Sequence, residues 1–306
     1  MKDKCEREIK HIRFSVTDKC NYNCIYCDKE GFISKSEELT VQEITEICRN
    51  LAIVLNLDKI KFTGGEPLCR KEIVDIIRNV KDLNLYLDMS MTTNGHFLAD
   101  KAEELYKAGL NRINISLSSL NPAVYKEITG KDNLNRVLKG IKKAKEVGFN
   151  PIKINFVVLK GLNDDELQDM ISFTANNELV LQLIELHSRS DSIGKHKDFY
   201  DKSHVDLSQI TKSLEERAIG VKKRGNMQNR KIIFLPDGGI VEVIHPGHNF
   251  CMGCTKLRVG CDGNLFGCLY QAETGKNIRE GLQNHNSLSQ FKEAVKQVVE
   301  SREPYY

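Results

Sequence analysis

Residues 11–27 read HIRFSVTDKCNYNCIYC: a short β-rich run passes straight into a loop carrying Cys20, Cys24 and Cys27. A strand whose C-terminal end delivers reactive side chains to a loop is the arrangement of a βα barrel. The next stretches repeat it. Strand-like runs KIKFTGG (59–65), LYLDMSMTTNG (85–95), NRINISLSSL (111–120), PIKINFVVL (151–159) and LVLQLIEL (179–186) alternate with runs of helical period. The helical runs are VQEITEICRNLAIVL (41–55), KEIVDIIRNV (71–80), LADKAEELYKAGL (98–110), NLNRVLKGIKKAKEVG (133–148) and DELQDMISFTANN (165–177). A spacing of about thirty residues per unit predicts right-handed βα crossovers. The expected fold is α/β, a partial (β/α)6 TIM-like barrel, where a closed barrel has about eight units. Cys20, Gly64, Gly65, Thr92, Thr93 and Ser116 fall at predicted strand ends, so they are expected to converge on one mouth.

The rhythm breaks after Leu186. HSRSDSIGKHKDFYDKSH (187–204) is polar and reads as a loop or linker, and RKIIFLPDGGIVEVIHPGHN (230–249) as a hairpin turning at Asp237–Gly239. A second cysteine cluster and a final helix near Ser287–Glu300 follow. The expected organisation is a partial barrel over residues 1–220 and a C-terminal region over 221–306 that covers the barrel mouth.

Bulk properties narrow the class. A chain of 306 residues with 40% hydrophobic and 28% charged residues is a globular protein with ample core. A net charge of +3 without a long single-sign run gives no reason to expect nucleic acid. The charged start, MKDKCEREIK, is neither a signal peptide nor a membrane span. Ten cysteines in such a chain point to metal ligation in a reducing cytoplasm rather than to a disulfide scaffold.

Two cysteines three apart are half of a zinc site, and the other half should follow as a second pair. Here a third cysteine sits four positions earlier, and no pair follows before Cys251 and Cys254. Three thiolates can instead hold three irons of a [4Fe–4S] cubane, leaving the fourth iron open to an outside ligand. The competing readings are a zinc site or incidental thiols. FTGGEP (62–67) follows a predicted strand; its glycines permit close backbone approach, and Glu66 can accept from a cationic amino group.

The C-x3-C-x2-C stretch together with FTGGEP resembles the radical S-adenosylmethionine enzymes. That resemblance implies a cluster on Cys20, Cys24 and Cys27 whose open iron chelates S-adenosylmethionine. It also implies cofactor contacts at Tyr26, Gly64, Gly65, Glu66 and Ser116, with His187 in a place commonly held by methionine. The stretch CMGCTKLRVGCDGNLFGC (251–268) supplies a second trio, Cys251, Cys254 and Cys268, again one ligand short. Two incomplete cubanes in one chain, with RFSVTDKCNYNCIYC, MTTNG, AGLNRINISL and VEVIHPGHNFCMGC in the same order, resemble the GTP 3′,8-cyclase family of molybdenum-cofactor biosynthesis, archaeal type. The family then implies GTP as substrate, two [4Fe–4S] clusters and S-adenosylmethionine as cofactors. It implies triphosphate-binding side chains at Arg13, Lys61, Thr92, Lys153, Lys256 and Arg258, and assigns no residue a catalytic proton transfer here. An electron donor such as flavodoxin or ferredoxin and a downstream pterin synthase are the implied partners.

The departures are specific. Lys61 and Lys256 stand where arginine is usual, keeping charge without the bidentate fork. Ser118 replaces a frequent aspartate, and the end REPYY lacks a Gly-Gly tail. Cys261 is an extra thiol, expected to lie at the turn CDG and to point away from the second cluster. Cys5, Cys48 and Cys69 belong to no motif. The rival enzyme reading is a radical enzyme modifying a peptide or other small molecule, which would carry more C-terminal cysteines. A non-catalytic metal-binding regulator or electron carrier would need neither FTGGEP nor the cationic strand ends.

Overall fold

Along the predicted strands apolar residues alternate with polar or charged ones, a period of two that puts them on opposite faces. The computed structural model describes residues 1–31, 37–187, 195–225, 227–270, 275–282 and 287–304. In it the strands are β1 (His11–Ser15), β2 (Lys59–Thr63), β3 (Asp88–Thr93), β4 (Arg112–Ser116), β5 (Ile152–Val158) and β6 (Val180–Glu185). They lie parallel and in chain order. Helices α1 (Val41–Leu55), α2 (Ile73–Asp82), α3 (Leu98–Lys107), α4 (Pro122–Thr129), α5 (Leu134–Glu146) and α6 (Leu167–Asn176) make the returns. A capping box between Thr40 and Glu43 starts α1, and Asn56 in the left-handed conformation ends it. Asn121 caps α4 with Pro122 in its first turn, and Gly130, at φ 72°, closes it.

The pleat decides the chemistry of the interior. Ile12, Phe14, Ile60, Phe62, Met89, Met91, Ile113, Ile115, Leu181 and Leu183 are buried in the hydrophobic core. The alternate positions, Arg13, Lys61, Ser90, Asn114, Lys153 and Gln182, line a cavity inside the sheet's curve. A TIM barrel normally fills that space with branched aliphatics. A polar lining marks it as ligand space.

The C-terminal region enlarges this sheet at both edges. Its strands are β7 (Gly220–Arg224), β8 (Arg230–Phe234), β9 (Ile240–Ile244), β10 (Lys256–Val259), β11 (Asn264–Phe266) and β12 (Lys276–Asn277). The order is β12-β11-β10-β1-β2-β3-β4-β5-β6-β9-β8-β7. Because β9 runs parallel to β6 and β10 parallel to β1, the six expected strands gain two parallel neighbours, flanked by antiparallel strands. The β8–β9 hairpin turns where the sequence placed it. The region also reaches further than the mouth. Its chain leaves β9 at Ile244, on the mouth side, and enters β10 at Lys256, which pairs with His11 at the opposite end. Cys251 and Cys254 therefore stand at the N-terminal end of the strands.

Four described α-helices were not legible: α4, α7 (Lys195–Ser203), α8 (Ser208–Glu216) and the short helix at His248–Met252. The polar stretch after Leu186 is thus helical in its second half, because Phe199 and Tyr200 pack on Ile128, Leu159 and Leu186; residues 188–194 lie outside the described set. The closing helix, α10 (Ser287–Glu300), has the expected bounds, with α9 (His248–Met252) before β10. No described helix is long and apolar enough to cross a membrane.

Candidate active site

A single cavity of about 410 Å³ runs from the mouth to the opposite end of the strands, and both cysteine trios line it. That volume lies within the range of small-molecule sites.

At the mouth, the loop after β1 is pinned on two sides. Asn23 and Ile25 donate backbone N–H groups to Thr129 and Ile128 at the end of α4, at 3.3 and 3.0 Å. Gly65 N–H donates to Thr17 O and Glu66 N–H to Lys19 O, both at 2.8 Å. The glycines are required for that seam: a Cβ on either would come within 2.3 Å of a loop carbonyl, Thr17 O for Gly64 and Lys19 O for Gly65. Cys20, Cys24 and Cys27 are held together tightly enough to repel as thiolates. Burial, then the Cys27 and Cys20 sulfurs, push the Cys24 thiol up to about 12. Three crowded thiols resisting ionisation are what a cationic iron cluster relieves, so the donor set fits the group.

Glu66 is buried and accepts from Thr93 Oγ1 at 2.7 Å, Asn94 N–H at 2.6 Å and Leu68 N–H at 3.0 Å. Burial outweighs these bonds and raises its pKa to about 7. Tyr26 Oη and Ser118 Oγ are 3.1 Å apart. His187 meets the Tyr270 ring edge to face at 5.6 Å, bringing a mouth residue against the second cysteine segment.

The middle of the cavity is cationic. Lys61 Nζ donates to Asn114 Oδ1 at 2.9 Å, Asn114 Nδ2 to Gln182 Oε1 at 2.6 Å, and Gln182 Nε2 to Glu242 Oε2 at 2.8 Å. Glu242 also pairs with Lys153 and with Arg224 at 3.2 Å, and lies 3.5 Å from Arg230. Burial would raise its pKa, but Lys153 and Arg230 hold it down to about 2. Among the described residues, two lysines of the cavity have only amide partners for their heads. These are Lys61, on Asn114, and Lys256, on Gln228 Oε1 at 2.6 Å. Burial, then neighbouring arginines, hold both well below the usual lysine range. Arg230 Nε is buried with no acceptor among the described residues. Half-buried cations without a carboxylate partner, turned to one cavity, are an arrangement suited to an anion.

Arg13 and Arg258 differ, because both bind Glu30. Arg13 forks onto it, with Nε to Oε2 at 2.8 Å, and Thr63 Oγ1 donates to the same carboxylate at 2.9 Å. Burial works against ionisation, yet Arg13 and Arg258 draw the Glu30 pKa to about 2.

At the far end, Cys251, Cys254 and Cys268 are braced by the termini. Arg7 Nη1 donates to Cys251 O and Arg302 Nη2 to Cys254 O, each at 2.9 Å, while Asp3 binds Arg7 Nε at 2.7 Å and Arg302 Nη1 at 2.8 Å. Burial raises the Cys268 thiol to about 11; for Cys254, Arg302 and Lys256 outweigh burial and lower it. Cys261 is fully buried outside the cavity lining, its sulfur within 4.8 Å of Asp18 and Glu38 carboxylate oxygens.

Every sequence-predicted site residue lines this cavity: Cys20, Cys24, Cys27, Tyr26, Gly64, Gly65, Glu66, Ser116, His187, Arg13, Lys61, Thr92, Lys153, Lys256, Arg258, Cys251, Cys254 and Cys268. Sequence reasoning missed Glu30, Gln228, Arg224, Arg230, Glu242 and Tyr270. For Glu242 the signal was a charged residue interrupting the β-rich run IVEVI.

An open parallel barrel that seats three cysteines against a glycine strand end is the frame of the radical S-adenosylmethionine enzymes. Residues 14–174 match the family model of the Radical SAM superfamily, and residues 179–306 match Molybdenum Cofactor Synthesis C. Relatives described as "Probable GTP 3′,8-cyclase" are 39% identical in Methanothermobacter thermautotrophicus (100% of this chain, 99% of that one) and 41% in Thermococcus kodakarensis (99% of each). The chain therefore belongs to the GTP 3′,8-cyclase family of the radical SAM superfamily. Solved structures share the fold alone. Streptococcus suis SuiB bound to precursor peptide SuiA has a TM-score of 0.66 at 17% identity, over 90% of this chain and 63% of that longer one. Native anSMEcpe with bound AdoMet has 0.63 at 16%, over 94% and 82%.

Proposed function

We infer that this protein is a GTP 3′,8-cyclase: a radical S-adenosylmethionine lyase that converts GTP to (8S)-3′,8-cyclo-7,8-dihydroguanosine 5′-triphosphate in molybdenum- or tungsten-cofactor biosynthesis. The observation that carries it is the pair Lys61 and Lys256, half-buried at one cavity with only amide oxygens to bind among the described residues. Such a site selects a polyanion over a peptide, which favours a nucleotide over the peptide-modifying reading. The cluster and S-adenosylmethionine, when bound, supply the 5′-deoxyadenosyl radical that takes hydrogen from the ribose 3′ position.

The chain's own residues do the rest. Cys20, Cys24 and Cys27 hold the first cluster, and Glu66, Gly64, Gly65, Tyr26, Ser116 and His187 seat the sulfonium cofactor beside it. Lys61, Lys153, Lys256, Arg13, Arg258 and Thr92 hold the triphosphate. Cys251, Cys254 and Cys268 would hold a second [4Fe–4S] cluster, which with three thiolates would keep one coordination site for the purine. We place the enzyme in the cytoplasm on its cysteine usage, reduced by a flavodoxin or ferredoxin and followed by a pterin synthase.

The test is anaerobic reconstitution, iron and sulfide counting, and incubation with S-adenosylmethionine and each nucleoside triphosphate. About eight irons per chain are expected, with 5′-deoxyadenosine formation that GTP accelerates. About four irons, or acceleration by a peptide instead of GTP, overturns the reading.

A further inference from the structure

The turn between β7 and β8 carries two consecutive non-glycine residues in the left-handed region, Gln228 at φ 61° and Asn229 at φ 53°. Such backbone persists only where its surroundings over-determine it. Here they do. Gln228 N–H donates to Gly253 O at 2.8 Å, and Asn229 Nδ2 donates to Asn249 O at 2.7 Å. A Cβ on Gly253 would stand 2.6 Å from Asn229 Nδ2 and 2.8 Å from its backbone nitrogen, so this turn is packed directly on the chain between Cys251 and Cys254.

The strained turn delivers one amide to a place that needs both of its ends. Gln228 Oε1 accepts from Lys256 Nζ at 2.6 Å and from Arg230 Nη2 at 2.7 Å. With the oxygen occupied by two cations, the orientation of the amide is fixed. Its Nε2 then donates toward Cys254 Sγ, at 3.9 Å. We propose that Gln228 is a positioning residue that ties the triphosphate site to the second cluster: one carbonyl gathers Lys256 and Arg230, and the same amide's N–H bonds the thiolate of Cys254. This rests on the reading of the site given above.

The consequence is specific. Hydrogen bonds to ligand sulfurs set cluster potentials. A phosphate that draws Lys256 and Arg230 toward itself therefore changes the bond at Cys254, and an anion in the cationic site is felt at the cluster without a purine. Methionine at this position keeps length and removes both polar ends. Glutamate keeps the acceptor, removes the donor and adds a counter-charge.

Inorganic tripolyphosphate, which has no purine, is the probe. Reconstituted wild type, Gln228→Met and Gln228→Glu are compared by iron content, by the second cluster's paramagnetic spectrum and midpoint potential, and by calorimetric binding of tripolyphosphate. In wild type, tripolyphosphate shifts the spectrum. In Gln228→Met the shift is lost, the ligand-free potential is more negative, and binding weakens about tenfold. If Gln228→Met loses iron, Gln228→Glu is read instead, with the same loss of the shift. A wild type in which GTP perturbs the second cluster but tripolyphosphate does not overturns this inference alone, as does an unchanged shift in the iron-replete variant. A wild type with about four irons, or one blind to GTP, overturns the functional reading itself.

Discussion

Glu30 Oε2 accepts from Arg13 Nε at 2.8 Å, three residues beyond the last cysteine of the first trio, and the same carboxylate binds Arg258, the register partner of Arg13 on the adjacent strand β10. Two arginines assigned to the triphosphate are thus satisfied by the protein's own anion. Glu30 sits at φ 58°, a conformation a glutamate adopts at a cost that this ion cluster offsets.

Glu30→Gln is expected to separate the two roles. Glu30 and its two arginines are half-buried, and removing the shared anion leaves both guanidiniums unpaired, so the ligand-free protein should melt earlier. The freed guanidiniums then meet GTP without a competitor, so GTP should bind about tenfold more tightly and produce a larger melting shift than in wild type. Thermal melts with and without GTP measure both. Weaker GTP binding in the variant would mean that Glu30 orients the arginines for substrate rather than standing in for it.

The carboxylate-free lysines make GTP binding pH-dependent. Burial holds Lys61 and Lys256 well below the usual range in the empty site. The triphosphate favours their charged forms, so binding takes up protons and weakens as pH rises between the free and bound pKa values. Calorimetry in two buffers of different ionisation enthalpy reads the uptake directly. Lys256→Arg, permanently charged, should remove one of the two contributions; unchanged uptake would assign the effect elsewhere.

Glu66 has the opposite sign. Its folded pKa, about 7, lies above the usual 4.5, so ligand-free stability falls as pH rises from about 4.5 through 7. The cationic amino group of S-adenosylmethionine binds the carboxylate form, so its affinity should rise about fivefold from pH 6 to 7 and about twofold more above pH 7 before it levels off. Equilibrium binding across that range is the measurement. Glu66→Gln should flatten the profile, and a profile that stays steep would exclude Glu66 as the ammonium partner.

How much of this was legible is clear from particular residues. Arg13 and Lys61 could be placed because a period-two run fixes which side chains share a face, and the cysteine trios because their spacing is local. Gln228 could not: its backbone is one that neither glutamine nor the residues around it advertise, and its partners Cys254 and Lys256 lie 26 and 28 residues further along the chain. Glu30 and Glu242 were lost among 42 acidic residues because only pairing across strands shows whose counter-ions they are. The second half of 187–204 is polar but for Phe199 and Tyr200, and it is helical because those two find an apolar pocket made by Ile128, Leu159 and Leu186.

Cys261 separates spacing from position. It follows Val259 and Gly260 at the β10–β11 turn, and its carbonyl accepts from Leu39 N–H at 2.7 Å, outside the cavity lining. Cys261→Ala should keep the full iron content and GTP-dependent 5′-deoxyadenosine formation. Loss of about four irons per chain would make it a fourth ligand and close the second cluster to substrate.

The second trio depends on an acid at the other end of the sequence. Asp3 is fully buried and neutralises both Arg7 and Arg302, whose remaining N–H groups grip Cys251 O, Cys254 O and Gly267 O. Asp3→Ala strands two buried guanidiniums, at a cost of about 3–5 kcal/mol, and loosens the carbonyls that fix Cys251 and Cys254. The first trio, pinned instead by α4 and the Gly64–Glu66 strand end, shares none of these bonds. Asp3→Ala should therefore keep about four irons per chain and the S-adenosylmethionine-dependent signal of the first cluster, while losing the second. Replacing Cys20, Cys24 and Cys27 with alanine should give the converse pattern. An Asp3→Ala protein that folds with about eight irons would show that the cysteine hairpin holds its shape without the buried acid.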